Sequence, residues 1–258
     1  MSDLGDLLAT VEARASEGHT LAVVRVLSPA SSGNLTVTVT DEEVSPPIED
    51  STLSDVVVSS VQRLIDSGRA TDLLDVVDGK GSPVRLAIEL VKAKLELIIF
   101  GAGHVGQATA RIAAIMGYDV VVVDDREEFA SRSRFPDPKI QVLACDFAGI
   151  ANKLRISAGT AVVIVTRGHQ YDELCLKNVI RSSASYIGMI GSRKRVMSVF
   201  KKLESEGISG QDLKRVHAPI GLRIGARSPQ EIAVSILAEI VDHVNNPTHK
   251  QKGEENGI

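Results

Sequence analysis

Short aliphatic runs recur through the second part of the chain, at Leu97–Phe100, Asp119–Asp124, Ile140–Ala144, Ala161–Thr166 and Tyr186–Ile190. They are apolar at successive positions and often β-branched. That is the pattern of strands covered on both faces. Between most of them the apolar period lengthens to that of a helix. "VGQATARIAAIMG" places Val105, Ala108, Ile112 and Ile115 on one face and stops at Gly117. A last helix is announced by "SPQE": Ser228 as cap, Pro229 in the first turn and Glu231 to complete a capping box. Its residues Ile232, Ile236, Leu237, Ile240 and Val244 form one stripe. Alternating strands and helices predict a doubly wound parallel sheet.

Residues 1–94 follow another rhythm. Leu4, Leu7, Leu8 and Val11 have helical spacing. "LAVVRVL" and "NLTVTVT" read as strands joined by "SPASSG", the second with Leu35, Val37 and Val39 on one face and threonines on the other. "DEEVSPPIED" reads as a loop. Val57, Val61, Leu64 and Ile65 define a helix that ends at Gly68, and "TDLLDVVD" and "PVRLAIELV" form a hairpin around Gly79 to Pro83. The expectation is an α/β chain. A small α+β domain of four strands (1–94) precedes a Rossmann-like doubly wound parallel sheet (95–247), and 248–258 is a polar, disordered tail.

Composition narrows the function. The chain has 258 residues, 43% of them hydrophobic, but only 3% aromatic and no Trp, so the core must be aliphatic. A net charge of −4 argues against a nucleic-acid partner, which needs a concentrated basic face. Two cysteines without a CxxC exclude a disulfide framework and fit a reducing compartment. The first 20 residues lack a signal-peptide core, and no run approaches the roughly 18 apolar residues of a membrane span. The expected location is the cytoplasm, away from membranes.

The candidate chemistry centres on "FGAGHVGQA". Gly101, Gly103 and Gly106 fit GxGxxG. The first permits a tight turn, the second lets backbone approach a pyrophosphate, and the third lets the helix pack on the strand. The helix start at His104 and Val105 offers free N–H groups to an anion. Asp124, 18 residues after Gly106, stands where an acid accepts a ribose hydroxyl, with Asp125 and Arg126 beside it. An acid there favours NAD over NADP. His104 is either a solvated loop residue or a ligand contact.

Other polar clusters follow predicted strands, at the edge where such sheets bind ligands. "TRGHQYDE" brings Thr166, Arg167, His169 and Asp172. "IGSRKR" brings Gly191, Ser192 as helix cap, Arg193 and Arg195, a pattern suited to a second anion. "RVHAPIGLRIGARSPQE" reads as a long loop with His217, Pro219, Gly221 and Gly225. No HxH, HExxH or CxxC occurs, so no protein metal site is expected. Cys145, at the end of the third strand, is either a small buried residue or a sulfur carrier, and Cys175 belongs to a core helix. No catalytic residue is assigned.

"FGAGHVGQA", "VVDDREEFA", "VIVTRGHQYDEL", "YIGMIGSRKR" and "HAPIGLRIGARSPQEIAVSILAEI", taken together, resemble the xanthine dehydrogenase accessory factors of the XdhC/CoxI type. The likeness runs from about Leu95 to Val244. It implies a maturation factor that binds the molybdopterin-type molybdenum cofactor, in its simple or cytosine dinucleotide form. Such a factor protects the cofactor during sulfuration with a cysteine desulfurase. It then helps insert the cofactor into a molybdenum hydroxylase apoenzyme of the xanthine or carbon monoxide dehydrogenase type. The implied protein is a cofactor-binding chaperone rather than a catalyst, and a homodimer. Its implied contacts are Gly101, Gly103, His104, Gly106, Asp124, Asp125, Arg126, His169, Gly191, Ser192, Arg193, His217 and Pro219. Relatives usually carry a Ser-Pro-Arg turn and a glycine run near a Cys in the first domain. Here only Ser28, Pro29 and Gly33 remain of it, and Arg223 replaces a frequent acid. The residues themselves leave two alternatives open, an NAD-dependent oxidoreductase and an NAD-responsive regulatory module.

Overall fold

The computed structural model describes residues 9, 11, 13–15, 20–27, 35–39, 44–67, 69–91, 95–150 and 153–245. Most of the expected N-terminal helix, the "SPASSG" connection with Ser28, Pro29 and Gly33, and the C-terminal tail lie outside them. The chain divides into two units, Met1–Lys94 and Leu95–Ile258.

In the first unit β1 (Leu21–Leu27), β2 (Leu35–Val39), β3 (Val44–Ser45), β4 (Thr71–Val77) and β5 (Pro83–Val91) form an antiparallel sheet in the order β3-β2-β1-β5-β4. Helix α1 (Ser51–Asp66) buries Leu53, Val57, Val61 and Leu64 against Val24, Val37, Leu86 and Ile88. Asp50 caps it, accepting from Leu53 N at 2.9 Å, and its other oxygen takes Gly79 N of the β4–β5 hairpin at 2.9 Å. There are five described strands rather than four. Val44 and Ser45, in the stretch expected to be loop, pair with Val39 and Thr38. Two residues are too few to show a period. Ile65, expected on the buried face, is exposed.

The second unit has six parallel strands: β6 (Glu96–Phe100), β7 (Asp119–Asp124), β8 (Ile140–Ala144), β9 (Thr160–Ile164), β10 (Tyr186–Met189) and β11 (Val216–His217). Their order, β11-β10-β9-β6-β7-β8, is the doubly wound nucleotide-fold order with its switch point between β6 and β9. The pleat sends alternate residues to two cores. Ile98, Phe100, Val121, Val123, Val162 and Ile164 meet Leu176 and Val179 of α3 (His169–Val179) and Val196, Val199 and Leu203 of α4 (Arg193–Ser205). Leu97, Ile99, Val120, Val122 and Val163 meet Ala110, Ala113 and Ala114 of α2 (His104–Ile115) and Ile236, Leu237 and Ile240 of α6 (Pro229–Asn245). A single turn, α5 (Gly210–Leu213), precedes β11. Among the described residues no helix is long and apolar enough to cross a membrane.

Two expectations change here. The "RVHAPIGL" stretch is not all loop, because Val216 and His217 add a sixth strand beside Ile187 and Gly188. The core face of α2 includes Val105, Ala108 and Ile112 as read, with Ala110, Ala113 and Ala114 the most deeply buried, but Ile115 is 84% exposed. Small side chains let α2 lie close to the sheet, which sets the helix phase more strongly than the larger Ile115 does. The capping box of α6 forms as read: Ser228 Oγ accepts from Glu231 N at 3.3 Å, and Glu231 Oε2 accepts from Ser228 N at 2.9 Å and Arg227 N at 2.7 Å.

Candidate functional site

The three loop glycines stand on different physical footings. Gly101 has φ +112°, and a Cβ there would lie 2.5 Å from Val165 O. Gly106, in the first turn of α2, would place a Cβ 1.9 Å from Gly101 O. Both are demanded by the fold. Gly103 has φ −66° and ψ −172°, which any residue adopts, and a Cβ there would meet nothing within 4 Å. It is the N-cap of α2 yet supplies no side-chain cap. A helix leaves its first N–H groups without intrahelical partners, here those of His104, Val105 and Gly106. The His104 side chain is exposed, Val105 is half-buried and Gly106 is buried.

Asp124, at the tip of β7, is buried. Its Oδ2 accepts from Ala102 N at 2.7 Å and Arg126 Nη2 at 3.0 Å, and its Oδ1 from Arg126 N at 3.1 Å and Nε at 2.9 Å. A carboxylate offers about four lone-pair positions, and four donors occupy them. Burial pushes this carboxyl up, but the hydrogen bonds from Arg126 and Ala102 outweigh it and hold it below the usual range. Arg126 lies 3.5 Å above the Phe129 ring. Asp125 is half-buried and takes Arg167 Nη2 at 2.6 Å, joining the loops on either side of β6. Arg167 also donates to Tyr171 Oη at 2.9 Å.

The neighbouring loops form a second network. Thr166 and Asp172 are buried, and Thr166 Oγ1 donates to Asp172 Oδ1 at 2.5 Å. Arg195 Nη2 donates to Asp172 Oδ2, while Arg195 Nε is buried without a partner. This ties the end of β9 and α3 to the start of α4. Ser192 caps α4, accepting from Arg195 N at 3.2 Å, and Gly191 has φ +153° with Arg195 Cδ 3.2 Å from where a Cβ would stand. His169 is the first residue of α3, whose N-cap, Gly168, likewise contributes no side-chain cap.

At the β10–β11 edge, His217 stacks on Tyr186 with ring centroids 4.5 Å apart and meets His243 edge-on at 4.8 Å. Glu239 of α6 organises the group. Its Oε2 accepts from Tyr186 Oη at 2.6 Å and Gly221 N at 2.7 Å, and its Oε1 lies 3.7 Å from His217 Nδ1. Burial raises the Glu239 carboxyl, but His217, Tyr186 and the Gly221 N–H outweigh it and lower it. Burial and Glu239 together push the Tyr186 hydroxyl up. Beside this group a cleft of about 840 Å³ is lined by Ile190, Arg193, His217, Leu222, Arg223 and Ile224, with the exposed Pro219 at its wall. Sequence reading passed over Tyr186, His243 and Glu239. The available signal was an acid, Glu239, set next to Ile240 in the apolar stripe. Cys145 is half-buried and Cys175 sits in the core, and burial pushes both thiols up.

The strand order, the glycine turn and the uncapped helix define a Rossmann domain of the doubly wound class. Residues 97–240 match the family model described as the XdhC Rossmann domain, and the chain belongs to that family. Among curated relatives, the uncharacterized protein YqeB of Escherichia coli is 33% identical over 64% of this chain and 30% of its own length. A Bacillus subtilis protein described as a probable xanthine dehydrogenase subunit is 32% identical over 60% and 44%. The molybdenum cofactor insertion chaperone PaoD of Escherichia coli is 26% identical over 57% and 39%. The matched stretch is thus less than half the length of each. A crystal structure described as a xanthine dehydrogenase from Bacillus halodurans shares the fold, with a TM-score of 0.55 at 17% identity over 96% of both chains.

Proposed function

We propose that the protein is a maturation factor that holds the phosphate-bearing molybdenum cofactor at the glycine loop and assists its insertion into a molybdenum hydroxylase apoenzyme. One observation carries the reading. Gly103 is a glycine that the fold does not require, at a helix start where Ser or Asp would cap better, and the volume its missing side chain leaves is open. A phosphate group of the ligand fits that volume and meets the free N–H groups of α2. Family membership and the name of the relative PaoD support the choice of cofactor. When bound, the cofactor supplies the molybdenum chemistry of the client enzyme, and this chain supplies the cradle.

The occupation of Asp124 weighs against the NAD alternative. A ribose diol needs an acceptor with free lone pairs, and Asp124 gives its own to Arg126 and the loop. The same occupation favours the simple form of the cofactor over the cytosine dinucleotide, which carries a ribose of its own, and Asp125 offers little in its place, since its two oxygens lie 2.6 Å from Arg167 and 4.0 Å from Arg126. Both thiols are raised, which disfavours the thiolate a sulfur carrier needs. Sulfuration therefore falls to a separate cysteine desulfurase, and a homodimer in the cytoplasm completes the proposal.

The test is to purify the protein from cells that make molybdenum cofactor, then extract and identify what it holds. A pterin phosphate, with or without a nucleotide, is the expected result. Its loss in Gly103→Leu should follow without loss of folding. Saturable NAD binding with no pterin would overturn the reading.

A further inference from the structure

The stretch after β11 is pinned to its surroundings at several points. Ile220 N donates to Met189 O at 3.0 Å, and the Ile220 side chain lies over Gly188, where a Cβ would come within 2.4 Å of it. Gly221 N donates to Glu239, Leu222 N to Ser235 O at 3.2 Å, and Ser235 Oγ back to Leu222 O at 2.6 Å. Gly221 has φ +98°, and a Cβ there would lie 2.4 Å from Ser235 Oγ. A wall held this way is preorganised, so little ordering is left for a ligand to impose. The cleft it encloses has chemistry of two kinds. Ile190, Leu222 and Ile224 give apolar surface, with Leu222 40% and Ile224 54% exposed. Arg193 and Arg223 are exposed at its rim, and neither has an ion-pair partner among the described residues. His217 lines it as well, fixed by the Tyr186 stack and Glu239. The volume suits one small ligand.

The position matters as much as the lining. β10 stands two places from β6 along the same edge, about 10 Å by ordinary strand spacing. A ligand anchored by its phosphate at the start of α2 reaches this cleft by lying across the ends of β9 and β10.

We infer that the cleft is the head-group subsite of the ligand whose phosphate sits at Gly103, and that it takes a flat, hydrogen-bonding heterocycle carrying negative charge. This rests on the reading of the glycine loop given above. The ring lies against Ile190, Leu222 and Ile224, a ring nitrogen of His217 bonds its edge, and Arg193 and Arg223 meet its charge. His217 acts here as a binding residue oriented by Glu239.

Two separate probes test the two ends. Pterin-6-carboxylate, a flat anionic pterin without phosphate, should bind saturably and shift backbone amide resonances between 217 and 225. The double substitution Arg193→Gln, Arg223→Gln should weaken it at least about tenfold. His217→Phe, which keeps an aromatic ring on Tyr186 but removes its nitrogens, should also weaken it. Gly103→Leu should leave it unchanged. Inorganic pyrophosphate should instead shift the amides of residues 104–106, lose its binding in Gly103→Leu and keep it in the double arginine variant. Pyrophosphate at the loop with no pterin response between 217 and 225 would overturn the subsite and leave the glycine-loop reading standing. No pyrophosphate response at 104–106 would overturn that reading, and the subsite with it. Pterin binding that survives both arginine replacements undiminished would overturn the recognition assigned to them.

Discussion

Replacing Gly106 by alanine and Gly103 by leucine should have opposite consequences, although leucine adds far more volume. A Cβ on Gly106 would lie 1.9 Å from Gly101 O and 3.4 Å from Ile99 Cγ2. To restore ordinary contact, α2 must move off β6 by more than an ångström. That loosens Ala110, Ala113 and Ala114 against the sheet. Overpacking of this kind costs about 1–3 kcal/mol, and so short an approach belongs at the upper end. Helical alanine offsets up to about 1 kcal/mol. The net loss is about 2 kcal/mol, or a fall of roughly 4–8 °C in Tm for a unit of this size. A Cβ at 103 meets no atom within 4 Å, at a backbone geometry that leucine tolerates, so the effect should stay within about 0.5 kcal/mol. Thermal unfolding without ligand, followed on the transition of the α/β unit, measures both. Pyrophosphate binding at a temperature where both are folded should then be lost in Gly103→Leu. If Gly103→Leu melts as far below the parent as Gly106→Ala, the fold needs that glycine after all, and the inference from it to a ligand fails.

Asp172→Asn should destabilise by about 3 kcal/mol, because it strips the partly buried Arg195 of its carboxylate partner; urea unfolding measures this, and adding Arg195→Met should recover part of the loss. Asp124 has a lowered folded pKa, so its contribution is complete above the unfolded value of about 3.9 and fades as pH falls through the folded one. Stability should therefore drop below about pH 4, and by less in Asp124→Asn, as acid unfolding curves will show. Glu231→Ala removes the acceptor for two N–H groups at the start of α6 and should destabilise slightly, seen as a lower denaturant midpoint at unchanged slope.

Where the period was long enough to repeat, the sequence was sufficient. The strands β7 and β8 fall at the residues read for them, since short β-branched and aliphatic runs such as Val120–Val123 have no other stable use between turns. Two short strands escaped, β3 and β11, because each consists of two residues whose pairing is decided by the neighbour and not by their own pattern. On α2 the faces of Val105, Ala108 and Ile112 were read as the structure has them, and only Ile115 was misplaced, for a related reason. Hydrophobicity alone favours Ile115, but the distance between Gly106 and Gly101 O sets the rotation of the helix, and that is a packing fact. Among the polar residues, the loop glycines and the caps Ser192 and Ser228 were legible because their jobs are local. Glu239 was not. Its three partners come from two segments, Tyr186 on β10 and His217 with Gly221 at β11 and just after it, which only the sheet order brings together with α6.

The same distinction governs the acids at the tip of β7. By position alone, Asp124 and Asp125 invite a ribose, because an acid after the second strand of such a sheet commonly faces one. What decides their role lies two residues on and across the sheet. The turn at 126–130 is closed by Phe129 N and Ala130 N on Arg126 O, at 3.0 and 2.9 Å. It sets the Phe129 ring 3.5 Å beneath the Arg126 guanidinium, which turns back to grip Asp124. Across β6, Arg167 pairs with Asp125. Two acids are thus matched by two arginines around the glycine loop. The negative charge that would oppose an anion at the start of α2 is neutralised locally, and the Asp124 lone pairs a sugar would need are already taken. The arrangement keeps the geometry of a dinucleotide fold while the Asp124 carboxylate is spent on the protein's own loop.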